Sequence, residues 1–184
     1  MTTNASLPTA PEPSLPGPSP LGTAANPRPR AALALLGWLA LCYAVAALGS
    51  QATVAAIPTW YAALVKPPLT PPNWLFAPVW TLLYTAMAVA AWLGWRTRRS
   101  TCRNRGTRLF LVQLLLNLTW TWLFFSQHRP GLALIEIGLL WAAIALTART
   151  FFTISRRAGW LMVPYFVWVT FAAYLNWGIW RLNP

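Results

Sequence analysis

The stretch AGWLMVPYFVWVTFAAYLNWGIW, residues 158–180, contains no charged side chain. A hydrocarbon layer about 30 Å thick is crossed by roughly 20 helical residues. A chain in that layer must satisfy its own backbone hydrogen bonds, which a helix does within one segment. The stretch therefore reads as a transmembrane helix. Working outward, four more blocks have the same character: Ala31–Gly49, Pro78–Trp95, Leu109–Ser126 and Pro130–Ala148. The fold class is an all-α membrane protein, a bundle of five transmembrane helices. Composition agrees, with 57% hydrophobic and 9% charged residues and only two acids, Glu12 and Glu136. A soluble domain carries about a quarter of its residues as charges.

Prolines punctuate the spans. Pro78 and Pro130 fall at first-turn positions, where a missing N–H costs little. Pro164 lies inside the last span, removes one helical hydrogen bond and is expected to kink it. Residues 1–30 are rich in proline and poor in large apolar groups, the composition of a disordered tail. Arg28 and Arg30 precede the first apolar run, as in a signal peptide. That run exceeds a signal's usual hydrophobic core of roughly 7–15 residues, so it is retained as the first span. The first link, 50–77, is long, and the others are short.

The net charge is +12, yet its distribution argues against nucleic-acid binding. Arg96, Arg98, Arg99, Arg103, Arg105 and Arg108 share one link; Arg149, Arg156 and Arg157 share another. Basic links on one side of a membrane are the usual orientation signal. The N-terminus is expected on the cytoplasmic side and the C-terminus opposite, with a bacterial inner membrane as the setting. The long first link then lies outside.

Conventional catalysis finds no footing. Cys42 and Cys102 form neither a metal-spacing motif nor a disulfide framework. The chain has one histidine, His128, and no aspartate. No metal site is expected. Paired carboxylates, nucleophilic triads and phosphate-cradling glycine loops are all missing.

Thirteen tryptophans demand an account. Trp95, Trp160, Trp177 and Trp180, near span ends, suit an interfacial belt. Trp80, Trp120, Trp141 and Trp168 lie deeper. Helical spacing places Trp80, Tyr84 and Met87 on one face, and Gln113, Asn117, Trp120 and Phe124 on another. Tyr165, Trp168, Ala172 and Asn176 align likewise. Amides turned toward lipid are costly, so these faces point inward. They form either a mixed aromatic and amide binding wall or a packed core with amides bonded between helices. The first link, with Trp60, Tyr61 and prolines 67, 68, 71 and 72, is either a lid or a membrane-surface anchor. Ala86, Ala90 and Gly94 make a small-residue stripe for packing within the bundle or between protomers. Glu136 is an intramembrane acid, a functional candidate or simply a hydrated or protonated one. His128 suits an interfacial side chain.

Four segments carry a resemblance: WYAALVKPPLTPPNW at 60–74, FAPVWTLLY at 76–84, QLLLNLTWTWLFF at 113–125 and PYFVWVTFAAYLNWGIWRLN at 164–183. In this order among five spans, they resemble the TspO/MBR family of tryptophan-rich sensory proteins, related to the mitochondrial translocator protein (peripheral benzodiazepine receptor). The resemblance runs from about Ala31 to the end. It implies a five-helix bundle, commonly a homodimer, with a ligand cavity beneath the first link. The implied ligands are porphyrins such as protoporphyrin IX, together with benzodiazepine- and isoquinoline-type molecules. No covalently bound cofactor is implied. The implied roles are sensing in tetrapyrrole metabolism or stress regulation, light-dependent porphyrin degradation, or tetrapyrrole or sterol transport. By motif, the cavity residues are Trp60, Tyr61, Trp80, Asn117, Trp120, Trp168 and Ala172. Tyr84, Gln113 and Phe124 join them from the helical faces. Trp80 and Trp168 match the tryptophans linked to photochemistry. One departure argues against cholesterol: Trp177 stands where the family's sterol motif needs Tyr, and Tyr174 is too far from Arg181.

Overall fold

The computed structural model of the chain describes residues 27–97 and 99–184. The segment read as a disordered tail lies, up to residue 26, outside the described residues. From Pro27 the chain is already helical, with Pro27 and Pro29 in a first turn that needs no N–H.

Six α-helices follow: α1 Pro27–Ala56, α2 Trp60–Ala63, α3 Phe76–Trp95, α4 Ser100–Thr121, α5 Pro130–Ile154 and α6 Arg156–Leu182. A 3-10 turn, Asn73–Leu75, leads into α3, and a π-helical turn, Trp122–Ser126, ends α4. Among the described residues there is no strand. All but α2 are long and apolar enough to cross a membrane. This is an integral membrane protein. Neighbouring helices pack in the ring order α1, α3, α6, α5, α4 and back to α1.

The helices outrun the spans read from hydropathy. α1 continues past Gly49 to Ala56, because nothing in Ser50–Ala56 stops a helix before Pro58 restricts the residue ahead of it. The first link shrinks accordingly. α4 starts at Ser100, nine residues before the apolar block. Arginine is a good helix former, so much of the basic link is helix. α5 and α6 are separated by Ser155 alone, whose Oγ accepts the Ala158 N–H at 3.5 Å. α6 runs unbroken through Pro164.

Small residues set the helix separations. A Cβ on Gly94 or Gly106 would lie 3.1 or 3.0 Å from Cε1 of Phe151. Gly94, the last residue of the stripe, therefore faces α5 inside the bundle. Gly159 is tighter still, since its Cβ would stand 2.3 Å from the Phe152 ring. Gly159→Ala is expected to cost about 1–3 kcal/mol by overpacking, read as a lower Tm in detergent. An unchanged Tm would show that the α5–α6 corner has slack.

Candidate functional site

The prolines of the first link give it a fixed course over one end of the bundle. It is clasped by the last turns of α6. The Tyr174 hydroxyl donates to the Pro68 carbonyl at 3.2 Å. Asn183 Oδ1 accepts the Val65 N–H at 3.0 Å, and its Nδ2 donates to the Val65 carbonyl at 3.0 Å. Gly178 admits Pro67, whose Cβ lies 2.6 Å from where a glycine Cβ would be.

The other flank of the link is aromatic. Trp60 stacks on His128 at 4.4 Å and 15°. His128 holds a left-handed backbone, φ 52°, at the turn that follows the π-helical segment. Trp60 also meets Phe124 edge-on at 5.5 Å. Tyr61 points down toward Phe124 and Phe125, with Lys66 Nζ 4.9 Å from its ring centroid. Burial pushes the Tyr61 phenol above its usual pKa, so the hydroxyl stays neutral. The link thus runs over one mouth of a cavity.

Beneath it lies a cavity of about 450 Å³, walled by α1, α2, α3, α4, α6 and the turns beside them. Its size falls within the roughly 300–1,000 Å³ of small-molecule sites. Seven residues singled out from the sequence line it: Tyr61, Trp80, Tyr84, Asn117, Trp120, Trp168 and Ala172. Trp80 packs on Tyr84 at 5.6 Å, and Trp168 on Phe76 at 6.1 Å and Phe171 at 5.7 Å. Asn117 ties the floor together. Its Oδ1 accepts the Tyr84 hydroxyl at 2.7 Å, and its Nδ2 donates to the Tyr165 hydroxyl at 2.9 Å. Trp120 Nε1 donates to Asn176 Oδ1 at 3.0 Å, and Asn176 Nδ2 donates to the Pro130 carbonyl at 2.8 Å. The indole N–H groups of Trp80 and Trp168 have no partner among the described residues.

Three of the sequence candidates sit outside the wall. Trp60 is spent on His128 and Phe124. Phe124 is buried among Trp60, Tyr61, Trp120 and Phe125. Gln113 is wholly buried, and neither polar atom of its amide finds a partner. Trp141 is no interior residue: it is 40% exposed, with Nε1 donating to Thr170 Oγ1 at 2.9 Å across the outer face of α5 and α6. A whole wall was missed. α1 contributes Tyr43, Ala46, Ala47, Gly49, Ser50, Thr53 and Val54. Tyr43 also hydrogen-bonds Thr85 Oγ1 at 2.7 Å and so joins α1 to α3.

The fold and this cavity define a polytopic helical membrane protein with an aromatic-lined chamber under a clasped loop. Residues 38–181 match the TspO/MBR family, and the chain belongs to it. It is similar to the tryptophan-rich protein TspO of Chlorobaculum tepidum, 44% identical over 150 residues, 79% of this chain and 93% of that one. It is similar to the tryptophan-rich sensory protein of Cereibacter sphaeroides, 35% identical over 151 residues, 80% and 94% of the two chains. The translocator protein of Homo sapiens is 36% identical over 126 residues, 67% of this chain and 75% of that one.

Proposed function

We propose that this protein is a membrane receptor whose cavity binds a porphyrin, such as protoporphyrin IX, and flat aromatic drug-like molecules of the benzodiazepine and isoquinoline kinds. Its setting is a bacterial inner membrane, with the arginine-rich end cytoplasmic and a role in tetrapyrrole metabolism or stress regulation. The observation that carries this reading is the cavity wall, where Trp80, Tyr84, Trp120 and Trp168 surround a space edged by Asn117. A π-rich wall suits a planar ring system with few polar edges. No basic side chain among the described residues lines the space. Ring contact, not carboxylate pairing, therefore supplies the affinity.

Titrating the purified protein with protoporphyrin IX is expected to quench tryptophan emission saturably. The Trp80→Phe, Trp168→Phe double variant is expected to bind several-fold more weakly, since each phenyl keeps an aromatic face but gives up the larger contact area of the indole. Unchanged affinity in a folded double variant would remove these two walls from the site.

The unpartnered indoles of Trp80 and Trp168 favour one second reading, photo-oxidation of the bound porphyrin with dioxygen as the electron acceptor and an indole relaying the electron from the excited ring. Illuminated complex should then bleach faster than porphyrin in empty micelles. Equal rates would reject the enzymatic reading and leave the receptor.

A further inference from the structure

The end of the bundle opposite the cavity carries the chain's densest charge. Arg96, Arg99, Arg103, Arg105 and Arg108 gather where α3 ends and α4 begins, and Arg149, Arg156 and Arg157 where α5 meets α6. Glu136 is the one acidic side chain among the described residues, and it is buried in α5 without a partner. Glu12, the chain's other acid, lies outside them. So many arginines cannot be neutralised from within the chain.

Their depth is set by helix length. The membrane-spanning helix that ends at Ser126 begins at Ser100 and has 27 residues, or about 40 Å at 1.5 Å per residue. A hydrocarbon layer of about 30 Å accommodates roughly 20 of them. Counting back from Ser126 puts the segment before about Gly106 at headgroup level, and Arg108, within a turn of that boundary, reaches it by extending its long side chain. Trp95 and Trp160, both exposed, flank the same end of the bundle, as interfacial indoles do.

One face of this helical extension is also shaped. Ser100, Thr101, Asn104, Arg105, Arg108 and Leu109 border a shallow, largely open depression on the surface of α4. Steps of three and four residues align them on one side of α4. Two guanidinium groups, two hydroxyls and an amide, all on exposed residues, share this face on the headgroup side of an apolar Leu109. That order is the order of a phospholipid: phosphate and polar headgroup outside, acyl chain below. Residue type supports the choice. Thirteen of the fourteen basic residues are arginine, Lys66 being the exception. Orientation alone would be served equally by lysine, whereas the guanidinium fork matches phosphate oxygens in pairs.

We propose that this face of α4 is a binding site for an anionic glycerophospholipid, its phosphate held by Arg105 and Arg108 and its headgroup by Ser100, Thr101 and Asn104. The site lies at the far end of the molecule from the ligand cavity. It would persist even if the porphyrin reading failed.

The test is native mass spectrometry of the full chain released from nanodiscs of phosphatidylcholine alone or mixed with phosphatidylglycerol. The wild type is expected to retain phosphatidylglycerol in preference to phosphatidylcholine. Arg105→Gln with Arg108→Gln should cut that preference by roughly thirtyfold, the loss of two basic residues that each attract an anionic lipid. The charge-preserving pair Arg105→Lys with Arg108→Lys should lose part of it. Arg156→Gln with Arg157→Gln should keep most of it. Equal losses in the two glutamine pairs would mean a diffuse field and overturn the site. So would equal retention of phosphatidylcholine and phosphatidylglycerol by the wild type. A Tm in phosphatidylcholine common to all variants shows that each is folded.

Discussion

Replacing Ala172 with tryptophan is expected to abolish ligand binding while leaving the bundle folded. Ala172 sits one turn beyond Trp168 on α6 and lines the cavity. An indole there enters open space, not a packed interior, so the overpacking cost that attends Gly159→Ala does not arise. It would occupy much of a 450 Å³ chamber and press on the faces of Trp80 and Trp168. The expected loss in affinity for protoporphyrin IX is at least about a hundredfold, which corresponds to roughly 2.7 kcal/mol. Gly138→Trp is the matched control: a Cβ at Gly138 meets nothing within 4 Å, and the residue is exposed on α5. Its affinity should stay within about twofold of wild type. If Ala172→Trp bound as tightly as the control, the ligand site would lie elsewhere, whatever the aromatic wall suggests.

The legibility of this site in the sequence follows from what each residue signals. Blocks with at most one charge, separated by basic links, announce five spans, because lipid tolerates no unpaired backbone and few charges. Hydropathy reads the slab, however, and not the helix. It therefore misses the extension of α1 to Ala56 and of α4 back to Ser100, where polar or basic residues continue a helix into the interface. Trp80, Asn117, Trp120 and Trp168 are legible because aromatics and amides at helical spacing are conspicuous in an apolar span. The α1 wall is not, since Ala46, Ala47, Gly49, Ser50 and Thr53 are ordinary small residues that make room by lacking bulk. Spacing also misplaces Phe124 and Trp141. Phe124 falls in the π-helical turn, where one extra residue per turn rotates it toward Trp60 and Tyr61. Trp141 finds its hydrogen-bond partner on the outer surface, at Thr170, a pairing that periodicity along one helix cannot reveal.

The second large effect is expected at Asn117, which joins α3, α4 and α6 at the cavity floor. Its amide accepts from Tyr84 and donates to Tyr165, and all three residues are buried. Asn117→Leu removes both bonds and leaves two phenol hydroxyls without that partner inside a membrane-spanning bundle. A buried polar group deprived of its partner costs about 1–3 kcal/mol, although single hydrogen bonds within membrane proteins average nearer 0.6 kcal/mol. The expected destabilisation is therefore about 2–4 kcal/mol, dominated by stranded hydroxyls, not by lost bonds. The triple variant Tyr84→Phe, Asn117→Leu, Tyr165→Phe separates these terms. With no polar group left to strand, it should recover most of the stability lost by Asn117→Leu. Tm and denaturant midpoints in one detergent would measure both. The same triple variant takes the amide from the cavity edge while keeping the aromatic faces of Trp80, Trp120 and Trp168. Porphyrin affinity in it should fall only several-fold if ring contact dominates binding. A loss as large as that of Ala172→Trp would instead make the Tyr84–Asn117–Tyr165 chain the principal ligand contact, with the indoles as packing around it.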